Sequence, residues 1–185
     1  MNKLRVGDIL CVFLKGSEIM KLSDYQLFLG CIGDLLASDS VQAMNGVTQH
    51  IDSVNCFAHC LFVAYVAYRV CRKLRLSSRE AARGGLLHDM FLYDQHDPHN
   101  RTLHLIRHPE KALENADRCF ALSPVERDAI RNHMWPLGIS HIPHSKEAAV
   151  VCMADKFCTI AEITGLYKAF GVNKISTDTK ELSVG

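Results

Sequence analysis

The sequence has no strong excess of charge of either sign and no long hydrophobic run. Lys and Arg number 21 against 20 Asp and Glu, which leaves a formal net charge of +1. So small a charge creates no overall field that would attract nucleic acid or an anionic membrane. The most apolar stretch near the N terminus, residues 9–14, is too short for a signal peptide or a membrane span. We therefore expect a cytoplasmic protein that recognises any anionic ligand by local contacts.

A Cys-x-x-Cys pair is also missing, although the chain has eight cysteines. Several of them lie in apolar helical segments, where cysteine packs as a small hydrophobic residue. Cys56 and Cys60 flank His59, but a second matching half at zinc-finger spacing is lacking. Neither a helix N terminus nor a neighbouring base identifies a catalytic cysteine. We therefore predict reduced thiols, with Cys56 and Cys60 buried.

Strand-like alternation and internal repeats are absent too, and the apolar residues recur at helical spacing. Residues 56–74 are apolar on nearly every helical face, which predicts a helix packed in the middle of the domain. The fold class is therefore predicted to be all-α, a single compact bundle of five or more helices.

Serine and proline indicate where several of these helices begin. The segments SSRE at 77–80 and SPVE at 123–126 both have the spacing of a capping box. Pro109 is expected to be the first residue of its helix, because proline needs no N–H partner there, and this would put His108 at the cap. A final long helix is expected to start near Ser145 and to run on through the segment LYKAF.

Histidine and aspartate recur within or at the ends of the predicted helices. The dipeptide His88-Asp89 follows an apolar helix, whereas the second His-Asp pair, at 96–97, lies in a polar segment where side chains can face water. Asp155 stands in the middle of a helix, where a buried carboxylate needs a partner or a metal. The imidazoles and carboxylates of this set suit Zn, Fe, Mn or Ni and could hold two ions. The set comprises His59, His88, Asp89, His108, His133 and Asp155.

The order of these residues resembles the H…HD…D motif of the HD-domain metal-dependent phosphohydrolase superfamily. His59 supplies the first element, LLHD at 86–89 the second, and Asp155 within CMADKF the last. The resemblance covers residues 45 to 170 and implies an HD-like helical bundle. It also implies that His59, His88, Asp89 and Asp155 would bind one metal ion.

Two further histidines match those of the two-metal branches of the superfamily, among them diadenosine-tetraphosphate hydrolases and cyclic-dinucleotide phosphodiesterases. His108 lies in RHPEKALENA and His133 in IRNHMWPLG. A GYP-type tripeptide is missing after the His-Asp pair, and so is the paired acidic signature of (p)ppGpp hydrolases. The branch therefore stays open.

If two ions bind, Asp89 is the natural bridge, because a carboxylate has two oxygens. Such a pair can activate water against a phosphoryl group, which leads us to expect hydrolysis of a phosphoester or phosphoanhydride. The cofactors would be one or two divalent transition-metal ions, with Fe, Mn, Zn, Ni and Co all acceptable. Lys156 is predicted to act in catalysis with Asp89, as the cation that contacts the substrate phosphate. Arg83, Arg107 and Arg131 are further candidates for phosphate contact, and Tyr93 and Trp135 for a flat pocket wall.

The expected partner is a small phosphorylated substrate, with nucleotides as candidates and with neither a membrane nor nucleic acid; the oligomeric state is left open. A non-catalytic or metal-sensing HD-like signalling module is the alternative function. The predicted organisation is an N-terminal helical extension over residues 1–44, an HD-like metal-binding domain over 45–172 and a polar tail over 173–185.

Overall fold

A computed structural model describes residues 22–49, 53–93, 104–138 and 141–167. Within these ranges the chain is helical without a strand, apart from an isolated bridge between Thr48 and Asn55. The all-α prediction is thereby confirmed. The helices are α1 (Leu22–Leu36), α2 (Asp39–Gln42), a 3₁₀ helix (Ala43–Gly46), α3 (Cys56–Leu74), α4 (Ser78–Leu87), α5 (His104–Cys119), α6 (Pro124–Asn132) and α7 (Lys146–Ile163).

Helix α3 lies in the middle of the bundle, as its apolar composition predicts. Asn55 caps its start by accepting a hydrogen bond from the N–H of Ala58, and Arg75 ends it in a left-handed conformation with φ 58°. One face of α3, including Phe57 and Leu61, belongs to the core shared with α1, α4, α5 and α6. The opposite face, including Phe62, packs with α7 in a second core. Helix α3 thus packs between both cores, and its charged residues Arg72 and Lys73 lie exposed in its last turn.

Helix α1 falls within the stretch predicted to be an N-terminal extension. Its Phe28, Ile32 and Leu35 are buried in the same core as α3. Residues 1–21 and the predicted tail, 173–185, lie outside the described residues, so the division of the chain into segments stays a prediction.

No single helix in the described ranges is long and apolar enough to cross a membrane. A pair bent by 99°, residues 24–36 with 39–46, meets the criteria of length and composition together. Phe28 and Ile32 in that pair are fully buried in the bundle.

Helix α4 is held very close to two neighbours at adjacent glycines. A Cβ atom on Gly84 would lie 2.8 Å from Cβ of Ala129 in α6, and one on Gly85 would lie 2.9 Å from Cα of Ala64 in α3. Contacts this short leave no room for a larger side chain at either position. The close approach fixes the end of α4, where His88 and Asp89 follow.

The predicted capping box at Ser77 is wrong. The Ser77 side chain makes no capping bond, and the backbone N–H of Ser77 donates instead to Glu147 of α7 at 3.0 Å. Glu80 accepts a 2.7 Å hydrogen bond from Ser123 Oγ, at the start of α6. Partners from other helices have replaced the local pair that the spacing SSRE indicates.

The predicted box at Ser123 and Glu126 is confirmed, with both reciprocal bonds present. Glu126 also accepts a 2.7 Å bond from Arg83 Nε, while Arg83 Nη1 donates to Asp34 of α1 at 2.6 Å. The buried guanidinium of Arg83 therefore ties α4 to α6 and α1. These bonds engage Nε and Nη1 of Arg83 between helices, and its predicted contact with phosphate stays a prediction.

Two helix bounds also differ from prediction. Pro109 lies inside α5, which already includes His104, so His108 is a helical residue and not a cap. Pro109 is buried, and its packing outweighs the backbone bond that a proline inside a helix removes. Ser145 caps α7 as predicted, by accepting from the N–H of Ala148, but the helix ends at Ile163. Gly165 then adopts a left-handed backbone with φ 75°.

Asp128 of α6 holds the first residues of α7 in place. Its carboxylate accepts 2.7 Å bonds from the N–H and Oγ of Ser145, a 3.0 Å bond from the N–H of His144 and a 2.7 Å bond from Asn132 Nδ2. Burial acts to raise the pKa of Asp128, but these hydrogen bonds hold it below its usual value. The ionised form of Asp128 is thus the one that joins α6 to α7.

Replacing Gly85 by alanine is expected to lower the free energy of unfolding by about 1–3 kcal/mol, because the new Cβ must displace the α3 backbone. Gly33→Ala in α1 is the matched control, since a Cβ there meets nothing within 4 Å. It should be neutral or stabilise by up to about 1 kcal/mol, as glycine is a poor helix former. Urea denaturation of both variants measures the difference, and equal effects would contradict the close packing of α4.

Asp128→Asn is expected to lower the free energy of unfolding at neutral pH by about 1–3 kcal/mol, because the amide replaces one accepting oxygen by a donor. The folded pKa of Asp128 lies below the unfolded value of about 3.9, so its contribution is present above that pH and is lost as pH falls through the folded pKa. The stabilities of wild type and variant should therefore converge in acid. Urea unfolding at neutral pH and at about pH 3 tests this; a constant difference would argue against it.

Candidate metal centre

The six predicted ligand residues come together at the centre of the bundle. His59 lies in the first turn of α3, and His88 and Asp89 directly follow α4. His108 lies in α5 and His133 directly follows α6. Asp155 is in the middle of α7. The residues are all buried, with exposed fractions of 0% for His59, 0% for His88, 5% for Asp89, 4% for His108, 1% for His133 and 8% for Asp155.

The first cluster consists of His59, His88, Asp89 and Asp155. His59 Nε2 lies 3.2 Å from Asp155 Oδ1, and His88 Nε2 lies 3.7 Å from the same oxygen. His88 Nε2 is also 3.6 Å from Asp89 Oδ2. His59, His88 and Asp89 offer ligand atoms that all lie within 4.8 Å of one another, and Asp155 forms such a group with His88 and His133.

The second cluster consists of Asp89, His108 and His133. The two Nε2 atoms of His108 and His133 lie 2.9 Å apart. Each of them is 3.4 Å from Asp89 Oδ1. Asp89 therefore turns one oxygen to each cluster: Oδ2 to the first and Oδ1 to the second.

Hydrogen bonds on the outer nitrogen orient two of the imidazoles. His88 Nδ1 lies 2.8 Å from the carbonyl oxygen of Gly85, and His133 Nδ1 lies 2.8 Å from that of Ile130. A carbonyl can only accept, so Nδ1 carries the hydrogen in both rings. The lone pair of each neutral ring is then on Nε2, the atom that faces the clusters. Both histidines directly follow a helix, so each uses a last-turn carbonyl that the helix leaves unpaired.

Helices α4 and α6 also bring their C-terminal ends to the clusters. The unpaired carbonyls at a helix C terminus carry partial negative charge, which stabilises a nearby cation. The ends of both helices thus favour positive charge in the space between the two clusters.

Metal ions fit this set of donors. Ligand atoms about 2.0–2.2 Å from one ion are about 3–3.5 Å from each other, and the separations within the clusters, such as 3.2 and 3.4 Å, are close to that. Among the described residues, the buried atoms His88 Nε2 and Asp89 Oδ1 have no hydrogen-bond partner. Buried polar atoms without a partner are costly, and both face the clusters.

The carboxylates and imidazoles of the centre stabilise each other's charged forms. Burial acts to raise the pKa of Asp89, but the nearby imidazoles of His88, His133 and His108 hold it well below its usual range. Asp155 shows the same balance. Burial acts to raise its pKa, but His59 and His88 together have the larger effect and hold the pKa well below its usual value. Burial would lower the pKa of His59, yet Asp155 and Glu162 raise it well above the usual value. The centre thus holds ionised carboxylates beside groups that favour positive charge.

Two buried residues at the centre were missed by the sequence analysis. Glu162 of α7 receives a hydrogen bond from His59 Nδ1, with 3.0 Å to each carboxylate oxygen. It lies two turns beyond Asp155 on the same helical face, a spacing that could have identified it. Gln49 Nε2 donates to Asp89 Oδ2 at 2.5 Å from a segment outside the α-helices, where no periodic signal was available.

Lys156 lies beside the first cluster. Its Nζ donates to the backbone carbonyls of His133 at 2.7 Å and Cys152 at 3.3 Å, and it is 3.6 Å from Asp155 Oδ2. The ammonium therefore joins α7 to the turn after α6. Its predicted role in catalysis stays a prediction.

The other candidates differ in position. Arg107 is exposed, and Arg131 pairs with Glu110 at 3.0 Å on the surface. Tyr93 packs against Phe91 in the core, whereas the Trp135 residue is 39% exposed. The second His-Asp pair, at 96–97, lies outside the described residues.

Cys56 and Cys60 are buried, as predicted. The Cys56 thiol donates to the backbone carbonyl of Asp89 at 3.2 Å, so it supports the turn that presents this carboxylate.

A family profile described as HD domain matches residues 56–160. All six ligand candidates lie within the matched span. No curated protein and no solved structure matches the chain.

If both clusters bind, metal-stripped protein should take up two Mn²⁺ ions per chain, and His108→Ala should take up one, because it removes a donor from the second cluster alone. His144→Ala is the matched control, since that side chain is 83% exposed. Equilibrium dialysis followed by elemental analysis measures the stoichiometry. Unchanged uptake by His108→Ala would exclude the second cluster as a metal site.

Proposed function

The chain belongs to the HD domain family, and from that premise we propose that it is a metal-dependent phosphohydrolase. Its reaction would cleave a phosphoester or phosphoanhydride bond of a small, nucleotide-like molecule. The observation that carries the proposal is the placement of Asp89, whose Oδ1 faces His108 and His133 while its Oδ2 faces His88. A carboxylate so placed can serve two ions at once.

The two clusters define which side chains would hold the ions. We assign His59, His88 and Asp155 to one ion and His108 and His133 to the other, with Asp89 shared between them. His133 also lies within reach of His88 and Asp155. Divalent ions in such pairs polarise a phosphoryl oxygen and lower the pKa of water towards neutrality. Hydrolysis is therefore the reaction class that this donor set suits best.

The chain's own residues would prepare the site for this reaction. The Nδ1 bonds of His88 and His133 orient both rings so that Nε2 faces the clusters, and in the neutral ring they place the lone pair on that atom. The apolar packing around the six ligands lowers the local dielectric, which strengthens each charge interaction with a bound phosphate. Lys156 has three N–H donors, of which His133 and Cys152 take two. We infer that the third donates to a phosphate oxygen of the substrate.

Two exposed apolar residues that follow His133 in the chain lead us to propose a nucleotide as the substrate. The Trp135 residue, two positions after His133, is 39% exposed, and Leu137 is 74% exposed. The carbonyl of Trp135 accepts a 2.9 Å bond from Cys152 Sγ, one turn before Asp155 in α7. We infer that the exposed Trp135 indole offers the face on which the nucleobase stacks.

Phosphate release tests this function. Wild-type protein loaded with Mn²⁺, Fe²⁺, Co²⁺, Ni²⁺ or Zn²⁺ should release phosphate from at least one member of a panel of nucleotides and dinucleoside polyphosphates. Asp89→Asn should reduce the rate by more than the 10–100-fold typical for the loss of an outer-shell partner of a metal site. Asp117→Asn is the control, because that carboxylate is exposed and pairs with Arg127 away from the centre.

Inorganic tripolyphosphate in the same panel tests whether the site prefers substrates that carry a nucleobase. Faster hydrolysis of the nucleotides than of tripolyphosphate is expected if Trp135 contacts the nucleobase. Absence of release with every metal would contradict the hydrolase and would favour a metal-sensing module.

A further inference from the structure

We propose that Glu162 is a positioning residue that makes the first cluster the tighter of two metal sites, so that two ions bind in a fixed order. The inference rests on the metal centre of the proposed function and concerns its loading. Glu162 binds no ion in this proposal; it acts through the imidazole of His59.

His59 is held between two carboxylates of the same helix. Its Nε2 lies 3.2 Å from Asp155 Oδ1, and its Nδ1 lies 3.0 Å from each carboxylate oxygen of Glu162. His59 is 0% exposed and Glu162 is 2% exposed, so water does not weaken these interactions. Glu162 thereby fixes both the ring orientation of His59 and the nitrogen that faces the first cluster.

The outer partner of His133, in the second cluster, carries no charge. His133 Nδ1 donates to the backbone carbonyl of Ile130 at 2.8 Å. A carboxylate acceptor makes an imidazole a stronger electron donor than a neutral carbonyl does, and such outer partners change metal affinity by about 10–100-fold. His59 is therefore the stronger ligand of the two.

The distribution of acidic residues points the same way. Asp155 and Asp89 lie in the first cluster, and Glu162 lies directly behind His59, so three carboxylates are close to this cluster. A divalent cation is attracted more strongly to the site with more negative charge, especially where the dielectric is low. A buried carboxylate also needs a compensating charge. A cation at His59 Nε2 would compensate the negative charge of Glu162 on the other side of the imidazole ring.

The consequence is an order of binding. The first ion would be held by the first cluster, which Asp89 Oδ2 faces. The second ion would then share a carboxylate that is already engaged, and we expect it to be the one that exchanges with solution. The His108 and His133 half is therefore expected to be empty at low metal concentration.

Titration of the metal-stripped protein with Co²⁺ tests the order, because the visible absorption of Co²⁺ reports its ligands independently of any turnover. Two steps of unequal affinity are expected for the wild type. Glu162→Gln keeps the size and one accepting oxygen but removes the charge, and should weaken the first step by about 10–100-fold while changing the second little. Calorimetric titration gives the same constants by a second readout.

Two further variants make the assignment specific. Glu147→Gln is the matched control in the same helix, since Glu147 accepts from the N–H of Ser77 and lies outside both clusters. It should leave both steps unchanged. His108→Ala should delete the weaker step and retain the tighter one, and this test holds even if Glu162→Gln fails to fold.

The outcomes separate this inference from the proposed function. Two equal steps in the wild type, an unchanged first step in Glu162→Gln, or loss of the tighter step in His108→Ala would overturn the order of binding. Ordered binding without phosphate release would instead overturn the hydrolase and leave the role of Glu162 intact.

Discussion

The burial of two carboxylates, Asp89 and Asp155, is the constraint on which the arrangement of this protein depends. Removing a carboxylate from water costs on the order of several kcal/mol unless partners compensate it. Here the compensation comes from imidazoles of α3, α5 and the turns after α4 and α6, which surround the two side chains. Because these partners belong to separate elements, a shift of any one of them deprives a buried charge of one of its partners.

The fold meets this constraint by fixing helix ends. Helix α4 approaches α3 and α6 so closely that Gly84 and Gly85 have no space for a Cβ, and the Arg83–Glu126 ion pair holds α4 to α6 at 2.7 Å. At the end of each helix, the Nδ1–H of a histidine donates to a carbonyl oxygen of the last turn. The same local geometry thus presents His88 to one cluster and His133 to the other, and it explains why ligands distant in sequence converge.

The outer partners make the two halves of the centre chemically different. Glu162 supports His59 with a charged group, while Ile130 supports His133 with a neutral carbonyl. Gln49 adds a donor to the oxygen of Asp89 that faces the first cluster. If both halves bind an ion, as we propose, this difference would make their affinities unequal.

The sequence by itself determined what depends on neighbours within a turn or on helical period: the all-α class, the central helix α3, the caps at Ser123 and Ser145, and the ordered set of His and Asp residues. Tertiary structure decided what depends on distant contacts. Ser77 and Glu80 form hydrogen bonds with other helices. Pro109 lies buried inside α5. His59 contacts Glu162, 103 positions away. Local spacing carries no information about such partners, because packing of the whole bundle selects them.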